Sequence, residues 1–336
     1  MINKLLWLIT DNTYPYKNLA MEEYLTMNVK PGECIMYLWQ NRHTVVIGKN
    51  QNCWKECKVN SLENDGGYLV RRLSGGGAVF HDMGNLNFTF MVRQPDYDVE
   101  KQQGVILRAV QMLGIHGERT GRNDITVDGR KFSGNAFLQV GEQCYHHGTI
   151  MLNANTEDMS RYLNVDKEKL RSKGVDSVRS RVANLIEFRP DITVSMMQDA
   201  LVKAFAETYG LTAEVLDSSR LPAAEIDQLT GKFESWEWKY GRKIPFDYEM
   251  SSRFDWGDVQ LQLHVDEGII REINFFSDAM DQDVIESFRS ALEGCRYSEN
   301  EMVSAIINAG IKHDGIPGDI VDTMRKDISK LIQEKI

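Results

Sequence analysis

Residues 68–91 read YLVRRLSGGGAVFHDMGNLNFTFM. Tyr68–Arg71, Ala78–His81 and Asn85–Met91 are short runs of β-branched, aromatic and aliphatic residues bounded by glycine and polar residues. That spacing predicts three strands. Between the first two strands stand Gly75, Gly76 and Gly77. They remove all side-chain bulk, so backbone N–H groups there can approach an anion closely. Arg71 and Arg72 lead into the turn, and a guanidinium suits carboxylate or phosphate through paired hydrogen bonds. The stretch is not a P-loop, because no Gly-Lys-Ser/Thr closes it. Nor is it a dinucleotide fingerprint, because the glycine spacing is wrong. Read alone, a plain glycine-rich hairpin turn with incidental arginines explains it equally well.

Working outward, Tyr16–Val29 carries apolar residues at helical spacing. Ile35–Trp39 and Thr44–Ile47 are β-rich runs joined by a short polar turn and predict a hairpin. Val99–Leu113 predicts a helix. Ile125–Val127, Asp128-Gly129 and Lys131–Val140 predict a hairpin with a tight turn. Cys144–Leu152 predicts a strand and Val194–Tyr209 an amphipathic helix. Strands mixed irregularly with helices favour an α+β fold over a doubly wound parallel sheet. Past Trp236, Trp238 and Tyr240, near Gly241 and Pro245, the apolar periodicity lapses. A hairpin over Val259–Val265 and Ile269–Phe276 follows, then three helix-like stretches to Ile336. The 336 residues exceed one ordinary core of about 150 residues. We therefore expect a domain over 1–248 and a small α+β domain over 249–336.

Composition narrows the class. Hydrophobic residues make up 42% and charged residues 26% of the chain, enough to bury a core and stay soluble. No apolar run approaches the roughly 20 residues that a bilayer needs. The N-terminal MINKLLWLIT turns polar too soon for a signal peptide. The expectation is a cytoplasmic protein with no membrane partner. A net charge of −10 argues against a general nucleic-acid binder. The five cysteines, Cys34, Cys53, Cys57, Cys144 and Cys295, do not form zinc-type pairs and are expected as reduced thiols. Against the acidic background, Lys167–Arg181 is basic. It is either a solvated charged segment or the complement of a local anion.

A second stretch, Gly121–Ala136, reads GRNDITVDGRKFSGNA. Lys131 follows the Asp-Gly turn. Gly134 and Ala136 alternate with Ser133 and Asn135, which leaves one strand face nearly bare. A bare face beside a lysine is what a narrow ligand tunnel needs, and a surface hairpin with a solvated lysine is the competing reading. Asn123 and Asp124 offer oxygen ligands for a hard cation such as Mg2+. Farther on, His146 and His147 point to opposite faces of a strand and cannot easily share a metal. His146 is expected to be a satisfied structural histidine.

Four segments, RRLSGGGAVFHDMGNLNFTF, GRNDITVDGRKFSGNAF, HHGTIML and SKGVDSVRSRVANL, resemble the signature blocks of the lipoate–protein ligase A family, in the same order. WEWKYGRKIPF and the C-terminal region are similar to that family's accessory domain. The resemblance implies a mixed-sheet catalytic domain of the biotin/lipoate ligase type and a small C-terminal accessory domain. It also implies two half-reactions. Lipoate and Mg-ATP give lipoyl-adenylate and pyrophosphate. A lysine of a lipoyl-domain protein, on a 2-oxoacid dehydrogenase E2 subunit or the glycine-cleavage H protein, then takes the lipoyl group. Octanoate is an alternative acid.

Lys131 is the expected catalytic residue. Arg72, Ser74, Gly75, Gly77, Val79, His81, Gly134, Ala136, His147 and Thr149 are expected around lipoate and its adenylate. Arg72, Gly77, Ala78, Val79, Phe80, Asn85, Asp124, Lys131, Lys173, Arg179 and Arg181 are expected around ATP, the last three on a covering segment. Asn123 and Asp124 are the expected Mg2+ ligands. The main competitor is an ATP-independent octanoyl or lipoyl transferase, for which Cys144 would supply a thiol. A non-catalytic lipoate-binding protein and a biotin ligase are weaker alternatives.

Overall fold

The computed structural model describes residues 1–121, 123–164, 181–241, 244–311 and 318–336. The chain divides into two compact units. The first comprises Met1–Val46, Trp54–Arg71 and Ala78–Ser235, and the second Ile47–Cys53, Arg72–Gly77 and Trp236–Ile336. The second unit opens at Trp236 and draws in two short segments from early in the chain.

The first unit contains β1 (Lys4–Ile9), β2 (Glu33–Trp39), β3 (Thr44–Ile47, whose last residue groups with the second unit), β4 (Tyr68–Arg71), β5 (Val79–His81), β6 (Asn85–Arg93), β7 (Glu118–Thr120), β8 (Asp124–Val127), β9 (Arg130–Val140), β10 (Gln143–Met151) and β11 (Ala213–Val215). Eight of these form one mixed sheet in the order β11-β1-β2-β6-β10-β9-β8-β7. Its longer helices are α1 (Pro15–Asn28), α2 (Val99–Met112), α3 (Val194–Tyr209) and α4 (Ala223–Glu234). Asp98 caps α2 by accepting from Lys101 N at 2.9 Å. Gly210, at φ 68°, ends α3 in the left-handed conformation that glycine adopts without strain.

The two faces of this sheet differ in character. One carries Leu38, Leu86, Phe88, Phe90, Ile125, Phe132 and Cys144, packed against Val105, Ile106 and Ala109 of α2 and Met197, Leu201 and Phe205 of α3. The other carries Tyr37, Trp39, Asn85, Asn87, Thr89, His147 and Thr149, as alternation along the strands requires. Helix α1 packs on this polar face, and α4 packs on α1 through an ion pair between Lys232 and Glu23 at 2.7 Å.

Asp128 and Gly129 have φ of 48° and 72°. Two successive positive φ angles make the turn that matches strand twist, so β8 and β9 form the expected hairpin. The hairpin expected from Ile35–Trp39 and Thr44–Ile47 does not form. β2 is buried on both faces and lies between β1 and β6, whereas β3 pairs in a separate three-stranded sheet of order β4-β3-β5. A strand interior to a sheet needs two partners, and a short polar turn is equally able to carry the chain out of the sheet. In the same way β4 and β5 flank β3. The glycine turn between them is therefore a crossover, not a hairpin turn.

The second unit has an antiparallel sheet of β12 (Tyr248–Phe254), β13 (Gly257–Asp266) and β14 (Ile269–Ser277). Helices α5 (Gln282–Leu292), α6 (Glu299–Ile307) and α7 (Gly318–Lys335) complete it. Leu261, Leu263, Phe275, Phe288, Met302, Met324 and Ile328 form its core. Its two early segments are bound by backbone hydrogen bonds. Ser277 N donates to Asn50 O at 2.9 Å and Gly76 N to Ala279 O at 3.1 Å.

Candidate active site

Lys131 owes its orientation to one irregularity. Along β8 and β9, Ile125 faces Ser133 but Thr126 faces Lys131, so Phe132 is an extra residue in the ladder. In an unbroken strand Lys131 would share a face with Ser133 and Asn135. The bulge moves it to the face of Gly134 and Ala136. Phe132, fully buried, turns into the apolar core. The Lys131 ammonium then lies 2.5 Å from Asp124 Oδ1, and Arg181 approaches Asp124 Oδ2 at 3.2 Å. Arg181 is brought there by the pairing of Lys131 with Val182 and by Ala183 N donating to Lys131 O at 2.9 Å. These three charged side chains keep roughly a fifth of their surface exposed, which leaves the group accessible.

Beside them the sheet is sparsely furnished. Gly134 and Ala136 carry almost no side chain, and Gly134 N donates to Thr149 Oγ1 at 3.2 Å. His147 stands opposite Ala136, and its Nδ1 is 2.8 Å from Glu22 Oε1. Thr89 donates to the same oxygen at 2.6 Å, and Trp39 Nε1 donates to Thr89 Oγ1 at 3.2 Å. Glu22 is a carboxylate only 1% exposed, so burial would be costly without these hydrogen bonds. Sequence reading missed Glu22, Trp39, Asn87 and Thr89. The available signal was Glu22 in line with Leu19 and Leu25 on the buried side of α1, a carboxylate where the helical pattern calls for an apolar residue.

His146 points to the other face, fully buried, with Nε2 2.7 Å from Asn135 Oδ1. Burial, aided by neighbouring His147, pushes its pKa down to about 3. It is a structural histidine, as expected, but only Nε2 is satisfied: Nδ1 has no hydrogen-bond partner among the described residues. Asn123 and Asn135 bond reciprocally, with Asn123 Nδ2 donating to Asn135 O at 3.1 Å and Asn135 Nδ2 to Asn123 O at 3.0 Å. This exchange fixes the start of β8, from which Asp124 projects.

The glycine turn belongs to the second unit and is organised by Arg72. The Arg72 guanidinium donates to Ser74 Oγ at 3.0 Å, to Gly75 O at 2.6 Å and to Gly77 O at 2.9 Å. A Cβ on Gly75 would stand 2.4 Å from Met280 O and 2.5 Å from Ala279 O, and one on Gly48 would stand 2.1 Å from Gly76 O. Glycine is required at 75 and 48 by close backbone approach.

The remaining expected residues are placed as follows. Val79 pairs with Val46, and Phe80 packs between Tyr162 and His43. His81 Nδ1 is 3.3 Å from Asn41 Nδ2. Asn85 is buried, with Nδ2 on Asn87 Oδ1 at 2.9 Å, and Ala78 is half-buried in the strand-entry loop. Lys173 and Arg179 lie outside the described residues. Lys131, Asp124, Gly134, Ala136, His147, Thr149 and Arg181 come together on one face. Cys144 does not join them. It is fully buried in the apolar core on the opposite face, pairing with Val92 and Gln139.

The first unit is thus a mixed sheet whose polar face presents a lysine beside two small residues, and the second is a smaller α+β unit. Residues 14–206 match the lipoyl protein ligase A/B catalytic domain and residues 243–324 the bacterial lipoate protein ligase C-terminus. Lipoate-protein ligase A of Psychrobacter cryohalolentis is 38% identical over 318 residues, covering 92% of this chain and 94% of that protein. The crystal structure of LipL1 from P. falciparum in complex with lipoate has a TM-score of 0.82 at 28% identity, over 98% of this chain and all of that one. A bipartite lipoate protein ligase from Thermoplasma acidophilum, studied with its E2 lipoyl domain, has a TM-score of 0.62 at 26% identity, over 73% and 99% of the chains. The chain belongs to the lipoate–protein ligase A family.

Proposed function

We propose that this protein joins lipoate to ATP as lipoyl-adenylate, releasing pyrophosphate, and then passes the lipoyl group to a lysine of a lipoyl-domain protein. The observation that carries this reading is the Lys131 ammonium, held by Asp124 over Gly134 on the polar face of the sheet. A carboxylate approaching an α-phosphate sets anion against anion, and a fixed cation must offset that repulsion. Lys131 supplies it, with Arg181 as a second cation on Asp124. Gly134 and Ala136 leave room for an apolar chain, and burying four or five methylenes contributes roughly 3–4 kcal/mol at about 0.8 kcal/mol each. His147 and Thr149 border that space. Val79 and His81 take part in holding the acyl-adenylate, and Ala78, Phe80 and Asn85 in holding the nucleotide.

Mg2+ would be held together with the nucleotide. Among the described residues no group of three or more His, Cys, Asp or Glu could cage a metal. A single carboxylate, Asp124, with the amide oxygen of Asn123 suits an ion that takes its other ligands from phosphates and water. There it would neutralise charge on the leaving pyrophosphate.

The lipoyl domain accompanying the Thermoplasma relative supports lipoyl-domain acceptors, here E2 subunits and the H protein, with octanoate as a second acid. The decisive experiment mixes the protein with ATP, Mg2+, lipoate and a purified lipoyl domain, and follows acceptor mass and pyrophosphate. Acceptor lipoylation without ATP would overturn the reading in favour of carrier-to-carrier transfer. That second reading has lost its proposed thiol, since Cys144 faces the apolar core.

A further inference from the structure

Asn87 lies in the middle of β6 and is 1% exposed. Its Oδ1 accepts from Asn85 Nδ2 at 2.9 Å, whereas its Nδ2 has no hydrogen-bond partner among the described residues. The side chain is on the polar face. Its register partners are Trp39 on β2 and Thr149 on β10. Thr149 in turn accepts from Gly134 N on β9, and the Lys131 ammonium lies over Gly134. Asn87, Thr149, Gly134 and the Lys131 ammonium therefore form one transverse row. Glu22, Thr89 and His147 belong to the adjacent row and satisfy one another.

An amide N–H removed from water with nothing in exchange is costly, and such groups are rare in folded proteins. Thr149 and Gly134 are partly exposed, so the row opens to solvent within two strands of the unpaired donor. We infer that Asn87 Nδ2 donates a hydrogen bond to a carboxyl oxygen of the acid substrate, making Asn87 a substrate-positioning residue beside Lys131. This rests on the reading above that the substrate is an apolar carboxylic acid. The aliphatic chain of such an acid accepts no hydrogen bond, and ring sulfurs are weak acceptors. The carboxyl oxygens are strong acceptors, and they belong at the end of the site where the lysine cation stands, which is the row that holds Asn87.

The test uses the full-length protein with Asn87→Leu and Asn87→Asp. Lipoate and octanoate are titrated by calorimetry, KM for ATP is measured, and melting is followed. We expect both acids to bind at least about tenfold more weakly to each variant, by the same factor, since they share the carboxyl group and not the sulfurs. KM for ATP is unchanged in Asn87→Asp, which keeps the acceptor of Asn85 Nδ2. Asn87→Leu melts below the parent, because Asn85 Nδ2 loses its acceptor, whereas Asn87→Asp keeps an oxygen for it. Unchanged affinity would overturn the inference and assign the amide to a buried water. A loss confined to lipoate would overturn it by placing the amide at the sulfur end. If Asn87→Leu does not fold, Asn87→Asp, which keeps the shape but replaces the donor, decides alone. A parent protein that binds neither acid refutes the proposed function instead.

Discussion

The side chain of Lys131 lies across the bare Cα of Gly134: a Cβ built on Gly134 would meet Lys131 Nζ at 2.7 Å and Cε at 2.8 Å. The lysine uses the space that the missing side chain leaves. Since the obstacle is the end of a flexible chain and not backbone, Gly134→Ala is expected to fold, melting within a few degrees of the parent. The lysine must swing away, and pyrophosphate release with lipoate and ATP should fall about tenfold or more, as small misplacements of a positioned group do. Parent-like activity in this variant would show that the resting position of the lysine is immaterial.

Gly75→Ala is predicted to behave in the opposite way. Its methyl group would meet the backbone carbonyls of Met280 and Ala279 at 2.4 and 2.5 Å, and neither can rotate aside. Overpacking of this kind costs about 1–3 kcal/mol. Denaturant melts should show a lower midpoint for Gly75→Ala than for Gly134→Ala. Equal midpoints would mean that the turn can yield.

Lys131→Met keeps most of the aliphatic stem and removes the charge. We expect native-like melting together with a loss of adenylate formation of about 100-fold or more, the scale of removing one electrostatic contact from a transition state. The assay is pyrophosphate release under single-turnover conditions. A rate near the parent's would move the catalytic cation elsewhere.

Cys144→Ala separates the ligase reading from thiol-dependent transfer. The thiol is fully buried in the apolar core, so losing it costs about 1 kcal/mol of stability. Lipoylation of an acceptor should proceed at the parent rate. Loss of transfer, with a mass adduct on the parent at Cys144, would contradict the placement drawn from the sheet.

His146 predicts a pH dependence. Burial holds its folded pKa down to about 3, below the ordinary value near 6.5 for an unfolded histidine. Above about pH 6.5 both states are neutral and the residue contributes nothing to the slope. As pH falls from there toward 3, the unfolded state takes up a proton that the folded state refuses. Stability is therefore lost, by up to about 1.4 kcal/mol per pH unit. Urea melts from pH 7 to 4 should be flatter for His146→Leu than for the parent. Parallel curves would mean that another group governs acid unfolding.

Much of the molecule was legible in the chain because local rules govern it. Asp128-Gly129 with β-rich flanks can hardly make anything but a tight hairpin. The helical spacing over Val99–Met112 and Val194–Tyr209, each with a capping residue in place, determined those helices. The RRLSGGGAVFHD and GRKFSGNA blocks pointed to the lysine and to the bare strand face. What the chain did not reveal depends on residues distant in sequence. β2 and β3 part company because each finds other partners, β1 and β6 in one case and β4 and β5 in the other. No local pattern encodes that choice. The extra residue Phe132, which turns Lys131 to the face of Gly134, is visible only once β8 and β9 are aligned, because a bulge is a property of a pair of strands. Glu22 and His147 are 125 residues apart in the chain and meet only because α1 packs on the polar side of the sheet. Cys144 and His147 lie on one short strand, yet the alternation of side chains and the placement of α2 and α3 sent one into the apolar core and the other to the site. The sequence by itself determined the elements and the chemical groups. Tertiary packing alone decided which face each group occupies and what it touches there, since burial and pairing are settled between segments and not within them.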